Sequence, residues 1–196
     1  NSFSNKLFYY KSQKYRNLYD ARNQALNFCK GSVITFLDSD DIWLENKLEM
    51  QLSLLSDRNP IIAGGFYIMD HRDNIVGSVV DKSRKKFYPK HILFRNIISI
   101  GCVMITKKLL DEFKFDGFYN LAGDFDLLVR VSSKYPITYI NYPLEKSRKH
   151  DTNLSNNKEL NWYKEEQYFS KKLIKNNPKI IFNSGYLFFF VKTKIK

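Results

Sequence analysis

Residues 32–37, SVITFL, form a short β-branched run that stops abruptly on three carboxylates, Asp38, Asp40 and Asp41. A six-residue apolar run bounded by Gly31 and by charge suits a strand covered on both faces of a sheet better than a helix, whose pattern needs roughly ten residues or more. Its flanks repeat at helical spacing: Leu18, Ala21, Ala25 and Phe28 before it, and Leu44, Leu48, Leu52 and Leu55 in the segment from Trp43 that Asn59-Pro60 breaks. Helix, strand, acidic turn and helix in that order make one unit of an α/β layer fold, with SVITFL as a central strand.

The remaining segments extend the same alternation. IIAGGFYIMD reads as a second strand, and HRDNIVGSVVDKSRKKFYPKH as a basic, mobile loop with little periodicity. SIGCVMIT follows as a buried strand, KKLLDEF as a short helix, GDFDLLVRVSSKY as a helix opening at its acidic end, and ITYIN as a strand that stops before Pro143. Beyond about residue 156 the character changes to a polar amphipathic helix and then to the aromatic, basic IIFNSGYLFFFVKTKIK. Two units are expected: a main domain over 1–155 and a helical appendage over 156–196. The end of the appendage, 180–196, suits either a helical cover for the core or a peripheral contact with an anionic membrane surface.

The chain has 196 residues, 43% of them hydrophobic, enough for one substantial core. Its 32 Lys and Arg against 20 Asp and Glu give +12, which suits an anionic partner: nucleic acid, a nucleoside diphosphate or an acidic membrane. Cys29 and Cys102 stand apart with no C-x-x-C spacing, so reduced thiols in a cytoplasmic protein are expected. No apolar run reaches the ~18–20 residues a spanning helix needs.

Carboxylates just past the C-terminal end of a buried strand lie where α/β sheets bind ligands. Asp38 and Asp40, two residues apart, can hold Mg2+ or Mn2+, whose remaining positions go to diphosphate oxygens. Asp40 and Asp41 also suit the N-terminal end of the helix expected from Trp43. A calcium EF-hand loop fails, because counting from Asp38 puts Ile42 at the fifth position and Trp43 where Gly is required. A haloacid-dehalogenase-type phosphohydrolase continues as D-x-D-G-T, where this chain has Asp41 and Ile42, and remains a distant alternative.

DARNQALNFCKGSVITFLDSDDIWLENKLEMQ resembles the helix, strand and D-x-D segment of family 2 glycosyltransferases with the GT-A fold. NIISIGCVMITKKLLDEFKFDGFYNLAGDFDLLVRVSSKYPITYINYPLEKSRKHDTNLS resembles the same family's acceptor half, with its E-D-x-D-L-W-x-R helix and Y-R-x-H-x-x-N-x-S motif. The similarity runs over roughly residues 16–155. It implies a Rossmann-like mixed sheet flanked by helices, and an inverting transfer of sugar from a nucleotide-sugar donor to a glycan or lipid-linked acceptor in cell-surface polysaccharide synthesis.

By that resemblance Asp38 and Asp40 contact the donor's ribose and metal-bound diphosphate, with Asp40 the direct metal ligand and Asp41 a neighbour. His150 falls on the motif's late His and joins the donor and metal set, while Arg22 and Asn23 help position the D-x-D strand or the nucleotide. Asp124 falls on the family's general base, and Asp126 pairs with Arg130 four residues on. The chain departs from the pattern at Gly123 for Glu, Leu128 for Trp and Ser147 for Tyr. The family's first strands, with their P-x-Y-N-like turn, have no counterpart here, so a GT-A domain truncated at its N-terminus is expected. Two other readings stay open: a basic nucleic-acid-binding module, against which the acidic strand end and the missing RNP and helix-turn-helix patterns argue, and a non-catalytic remnant. A nucleic-acid partner is not expected, and the peripheral contact would place the protein at the inner face of the membrane.

Overall fold

The computed structural model describes residues 8–11, 14–151, 153, 162–179, 185–187 and 189. Seven strands form one mixed sheet: β1 (Val33–Thr35), β2 (Ile42–Trp43), β3 (Ile61–Met69), β4 (Ile75–Val79), β5 (Lys86–Phe87), β6 (Met104–Thr106) and β7 (Ile137–Arg148). The order is β1-β6-β3-β7-β2, with β4 added to β3 and β5 to β7. β3 and β7 run parallel, and the other pairings are antiparallel. The helices are α1 (Leu18–Leu26), α2 (Lys47–Leu52), α3 (Pro89–Phe94), α4 (Lys107–Phe113), α5 (Gly123–Lys134) and α6 (Trp162–Asn176). An α/β sheet flanked by helices is therefore present, as expected.

Several local expectations change. SVITFL does supply a strand, but β1 ends the order instead of occupying its centre, and only Ile34 of its three residues is buried. The helix expected from Trp43 starts later, because Ile42 and Trp43 pair with Lys146 and Glu145 of β7. Asn46 is its N-cap, so Asp40 and Asp41 do not cap it. Its buried side chains are Lys47 and Gln51, whereas Leu48 and Leu52 are exposed. Lys47 Nζ donates to Thr35 Oγ1 at 2.7 Å and to Gln51 Oε1 at 2.8 Å, and Gln51 Nε2 donates to the Cys102 carbonyl at 2.8 Å. A hydrogen-bonded polar pair thus occupies the place the leucine repeat suggested for apolar packing.

The basic excursion supplies the second arm of a hairpin with β3 and then the short β5, with a loop between them. β3 turns into β4 through Asp70, whose Oδ1 accepts the N–H groups of Arg72 and Asn74, with Asp73 at φ 66°. Pro143 lies inside β7 instead of ending it. The register jumps from Gly64↔Ile140 to Gly65↔Pro143, so the bulge absorbs the missing proline N–H. Gly64 and Gly65 allow this approach, since a Cβ on either would meet Leu144 Cδ1 at 2.5 Å or the Val79 carbonyl at 2.6 Å.

The main core lies between sheet and helices, with Leu127, Leu128, Val129 and Val131 of α5 at its centre. α6 sets Phe169 into the same core. Among the described residues no helix is long and apolar enough to cross a membrane. Most of the segment 180–196, expected to contact a membrane surface, lies outside the described residues.

Candidate active site

The acidic turn leaves β1 and is anchored by a different basic residue at each carboxylate. Arg22 of α1 donates from Nη2 to Asp38 Oδ1 at 2.6 Å. His150, beyond the end of β7, places Nε2 2.9 Å from Asp40 Oδ2. The Arg148 N–H reaches Asp41 Oδ1 at 2.7 Å, while its Nε donates to the Asp40 carbonyl at 2.9 Å. The Arg148 guanidinium also binds the Asp70 carbonyl and the Asp73 carboxylate, tying the acidic turn to the β3–β4 hairpin. Burial pushes the Asp41 carboxyl above its usual range, and the charges of Asp40 and Asp38 add to the shift. Asp41 is thereby a packed neighbour, and Asp38 and Asp40 are the more open pair, with 46% and 35% of their side chains exposed.

Among the described residues no three His, Cys, Asp or Glu side chains converge as a ready metal cage. The donor chemistry still fits Mg2+ or Mn2+. Asp38 is held through Oδ1 and Asp40 through Oδ2, which leaves each a second oxygen for a hard cation. Magnesium is commonly held in this way, by one or two carboxylates, with substrate phosphate and water completing the shell. His150 faces Asp40 through Nε2, and Asn153 braces it by accepting the His150 N–H at 2.6 Å. The imidazole in this arrangement orients Asp40.

Asp124 sits in the first turn of α5, half-buried. Burial raises its carboxyl above the ordinary range; the Phe125 N–H at 2.8 Å, the Arg22 charge and the Tyr19 hydroxyl at 3.3 Å oppose that shift. The turn before α5 is fixed from outside: the Glu165 carboxylate of α6 accepts the N–H groups of Asn120 at 2.7 Å, Leu121 at 3.1 Å and Ala122 at 2.9 Å. Tyr19 holds the same turn by donating to the Leu121 carbonyl at 2.7 Å. A cavity of about 350 Å³ opens beside Asp124, walled by Asn96, Phe125, Trp162, Glu166 and Phe189. A carboxylate at the wall of an aromatic cavity can take a proton from a bound hydroxyl.

The remaining expected residues take the following places, with the expected Asp126–Arg130 pair present. Both ends of the Asn23 amide are taken by Phe115, whose carbonyl accepts at 2.8 Å and whose N–H donates at 3.0 Å, so Asn23 clamps α1 to the segment before α5. Asp126 is buried, accepts from Arg130 Nε at 2.7 Å and from Lys172 Nζ at 2.8 Å, and meets the Tyr119 hydroxyl at 3.2 Å. Gly123 has no room for the family's Glu, because a Cβ there would lie 2.6 Å from the Tyr19 ring. Leu128 is fully buried in the core and does not line the cavity. Ser147 neighbours Asp41 and opposes the burial-driven rise of its carboxyl. Sequence reasoning missed Arg148, which stood within the quoted SRKH motif, and Glu165, for which no local pattern gave a signal.

A family model described as glycosyl transferase family 2 matches residues 2–115. The chain is 34% identical over 145 residues to the UDP-Glc:alpha-D-GlcNAc-diphosphoundecaprenol beta-1,3-glucosyltransferase WfgD of Escherichia coli, covering 70% of this chain and 54% of that one. It is 28% identical over 120 residues to the amylovoran biosynthesis glycosyltransferase AmsB of Erwinia amylovora, covering 57% of this chain and 40% of that one. The fold matches S. aureus TarS 1–349 with a TM-score of 0.59 at 13% identity, over 87% of this chain and 50% of that one. The same TarS fragment in complex with UDP matches at 0.56 and 13% identity, over 78% of this chain and 44% of that one. The chain spans somewhat over half the length of the first curated relatives it matches.

Proposed function

Because the chain belongs to glycosyl transferase family 2, we propose that it serves an inverting transfer of sugar from a nucleoside-diphosphate sugar to a glycan acceptor on a lipid carrier, in the synthesis of a cell-surface polysaccharide. The observation that carries this reading is the position of Arg22, which bonds to Asp38 and also lends its charge to Asp124. One guanidinium thereby stands near both the donor carboxylates and the base, so the two halves of the site are held in one geometry, from which a reaction joining two substrates gains. The printed names of two relatives support the setting: WfgD acts on a sugar diphosphoundecaprenol, and AmsB belongs to amylovoran biosynthesis.

In the proposed reaction the acceptor sugar lies in the aromatic cavity, and Asp124 takes the hydroxyl proton as oxygen bonds to the donor's anomeric carbon. The bond from that carbon to the diphosphate breaks, and the leaving group gains negative charge. Asp38 and Asp40 would hold Mg2+ or Mn2+, which when bound would supply positive charge to the leaving diphosphate. His150 orients Asp40, and Arg22 fixes Asp38. Cytoplasmic placement at the inner membrane face follows from a nucleotide-sugar donor meeting a lipid-borne acceptor.

Calorimetric titration with UDP, GDP and dTDP, with and without Mn2+, tests the donor half. Metal-dependent binding of one nucleotide, lost in Asp40→Asn, is the expected result. Equal binding by Asp40→Asn, or binding indifferent to metal, contradicts it.

A further inference from the structure

A second and larger cavity, about 730 Å³, opens beside α3. Its walls come from the segment after β4, from β5 and from α3, and they carry Lys82, Arg84, Lys90, His91 and Arg95. Asp81 is the one acid in the lining, and its charge is engaged: it accepts from Ser83 and Arg84 backbone N–H groups at 2.7 and 3.0 Å and pairs with the Arg84 guanidinium. Lys82, Lys90 and Arg95 have no ion pair among the described residues, so the cavity keeps a net positive field. Val80, Phe87 and Ile97 give it an apolar wall.

His91 fixes the polarity further. The Tyr88 N–H points at His91 Nδ1 at 3.2 Å, so Nδ1 is the acceptor and the neutral ring carries its proton on Nε2. The imidazole therefore has a donor left for a ligand. Burial, and then the charges of Arg84 and Lys90, hold its pKa below the usual histidine value.

The two cavities adjoin. Arg95 and Ile97 line the basic one while Asn96 between them lines the one beside Asp124, and Gly185 and Phe189 divide in the same way. A ligand with a sugar at one end and an anionic, partly apolar tail at the other matches this pair.

We propose that the basic cavity binds the phosphate or diphosphate end of the acceptor, with Lys82, Lys90, Arg95 and the His91 Nε2–H on the phosphate oxygens and the first units of an isoprenoid tail against Val80 and Ile97. This rests on the transferase reading for the sugar end and deepens it by naming the acceptor's anchor. The recognition is charge-assisted and falls with salt.

The test uses the whole chain in EDTA, so that metal-bound diphosphate at Asp38 and Asp40 makes no contribution. Farnesyl diphosphate, inorganic pyrophosphate and phosphatidylglycerol vesicles are titrated in while the ring protons of His71, His91 and His150 are followed by NMR. Farnesyl diphosphate should shift the His91 signal and raise its titration midpoint, and Lys90→Ala with Arg95→Ala should weaken its binding about tenfold or more. Pyrophosphate should produce the same shift with lower affinity. Both substituted side chains are exposed, so the double variant should fold and keep its Mn2+-dependent nucleotide binding. Equal farnesyl diphosphate affinity in the double variant overturns the proposal. Vesicle binding with no response to farnesyl diphosphate at His91 also overturns it, in favour of attraction to an anionic membrane. A chain that binds farnesyl diphosphate at His91 but binds no nucleotide supports the anchor and contradicts the donor site.

Discussion

Glu165 of α6 accepts the Ala122 N–H at 2.9 Å, the last of three backbone bonds by which one carboxylate fixes the turn that carries Asp124. Asn120, Leu121 and Ala122 would otherwise leave N–H groups unpaired at a buried helix start. Glu165→Ala should cost about 2–4 kcal/mol, measured by urea unfolding, since charge-assisted bonds are lost and their donors orphaned. Sugar transfer should fall further than folding does, with nucleotide binding unchanged. Glu165→Gln keeps one acceptor oxygen and should lie between. Equal nucleotide and turnover losses would remove Glu165 from a positioning role.

Arg148 joins Asp40, Asp41, Asp70 and Asp73 through one side chain and its own backbone N–H. Arg148→Ala should free the acidic turn and weaken Mn2+-dependent nucleotide binding by about tenfold, an effect of about 1.4 kcal/mol. Arg148→Lys cannot reproduce the forked geometry and should recover little of it. Calorimetry on both variants checks this, and an unchanged Kd would mean the turn holds without Arg148.

The candidate site was legible where it is carried by short motifs and illegible where distant segments meet. Asp38, Asp40 and Asp124 stand out because an apolar strand or a helix opening precedes each in the sequence. Glu165 lies 43 residues from Ala122, and nothing in WYKEEQYF marks which of its acids turns inward. The leucine repeat near residue 50 misled for a related reason. Periodicity reports which residues can share a face, but the face toward the sheet had to satisfy the Thr35 hydroxyl and the Cys102 carbonyl, and it took Lys47 and Gln51. SVITFL identified a strand without revealing that it ends the order, since burial of Ile34 alone needs only one covered face. The Gly123 departure from the family pattern became intelligible only with the Tyr19 ring beside it.

Gly123→Ala should therefore destabilise the chain without adding any polar defect, as its Cβ would press on the Tyr19 ring. A loss of about 1–3 kcal/mol is expected. The double change with Tyr19→Leu should recover part of that loss by clearing the space. A Gly123→Ala chain as stable as the parent would contradict the contact.

Glu145 gives the protein a pH-dependent stability. It is fully buried, Ser99 Oγ donates to its Oε1 at 2.7 Å, and its Oε2 has no partner among the described residues. Burial pushes its pKa from the ordinary 4.5 up to about 7. Between these values the folded state holds a proton that the unfolded chain has released, so stability is full below pH 4.5 and declines as pH rises toward 7. The decline is on the order of 3 kcal/mol. Glu145→Gln cannot ionise and should remove this component, leaving the variant more stable than the parent at pH 8 by urea unfolding. Parallel stability curves for the two would contradict the assignment.

The central claim is that Asp124 takes the acceptor proton while Asp38 and Asp40 serve the donor. Its most direct measurement is the rate of sugar transfer to a short-chain prenyl-diphosphate sugar, from UDP-, GDP- and dTDP-sugars with Mn2+, by the parent chain and by Asp124→Asn across pH. The account predicts transfer by the parent, with an acidic limb above the usual carboxylate range because burial raises the Asp124 pKa and only its ionised form accepts the proton. In Asp124→Asn the rate should fall by about 10²–10⁴ with nucleotide binding intact. Transfer by Asp124→Asn at the parent's rate, or with the parent's acidic limb, would contradict it.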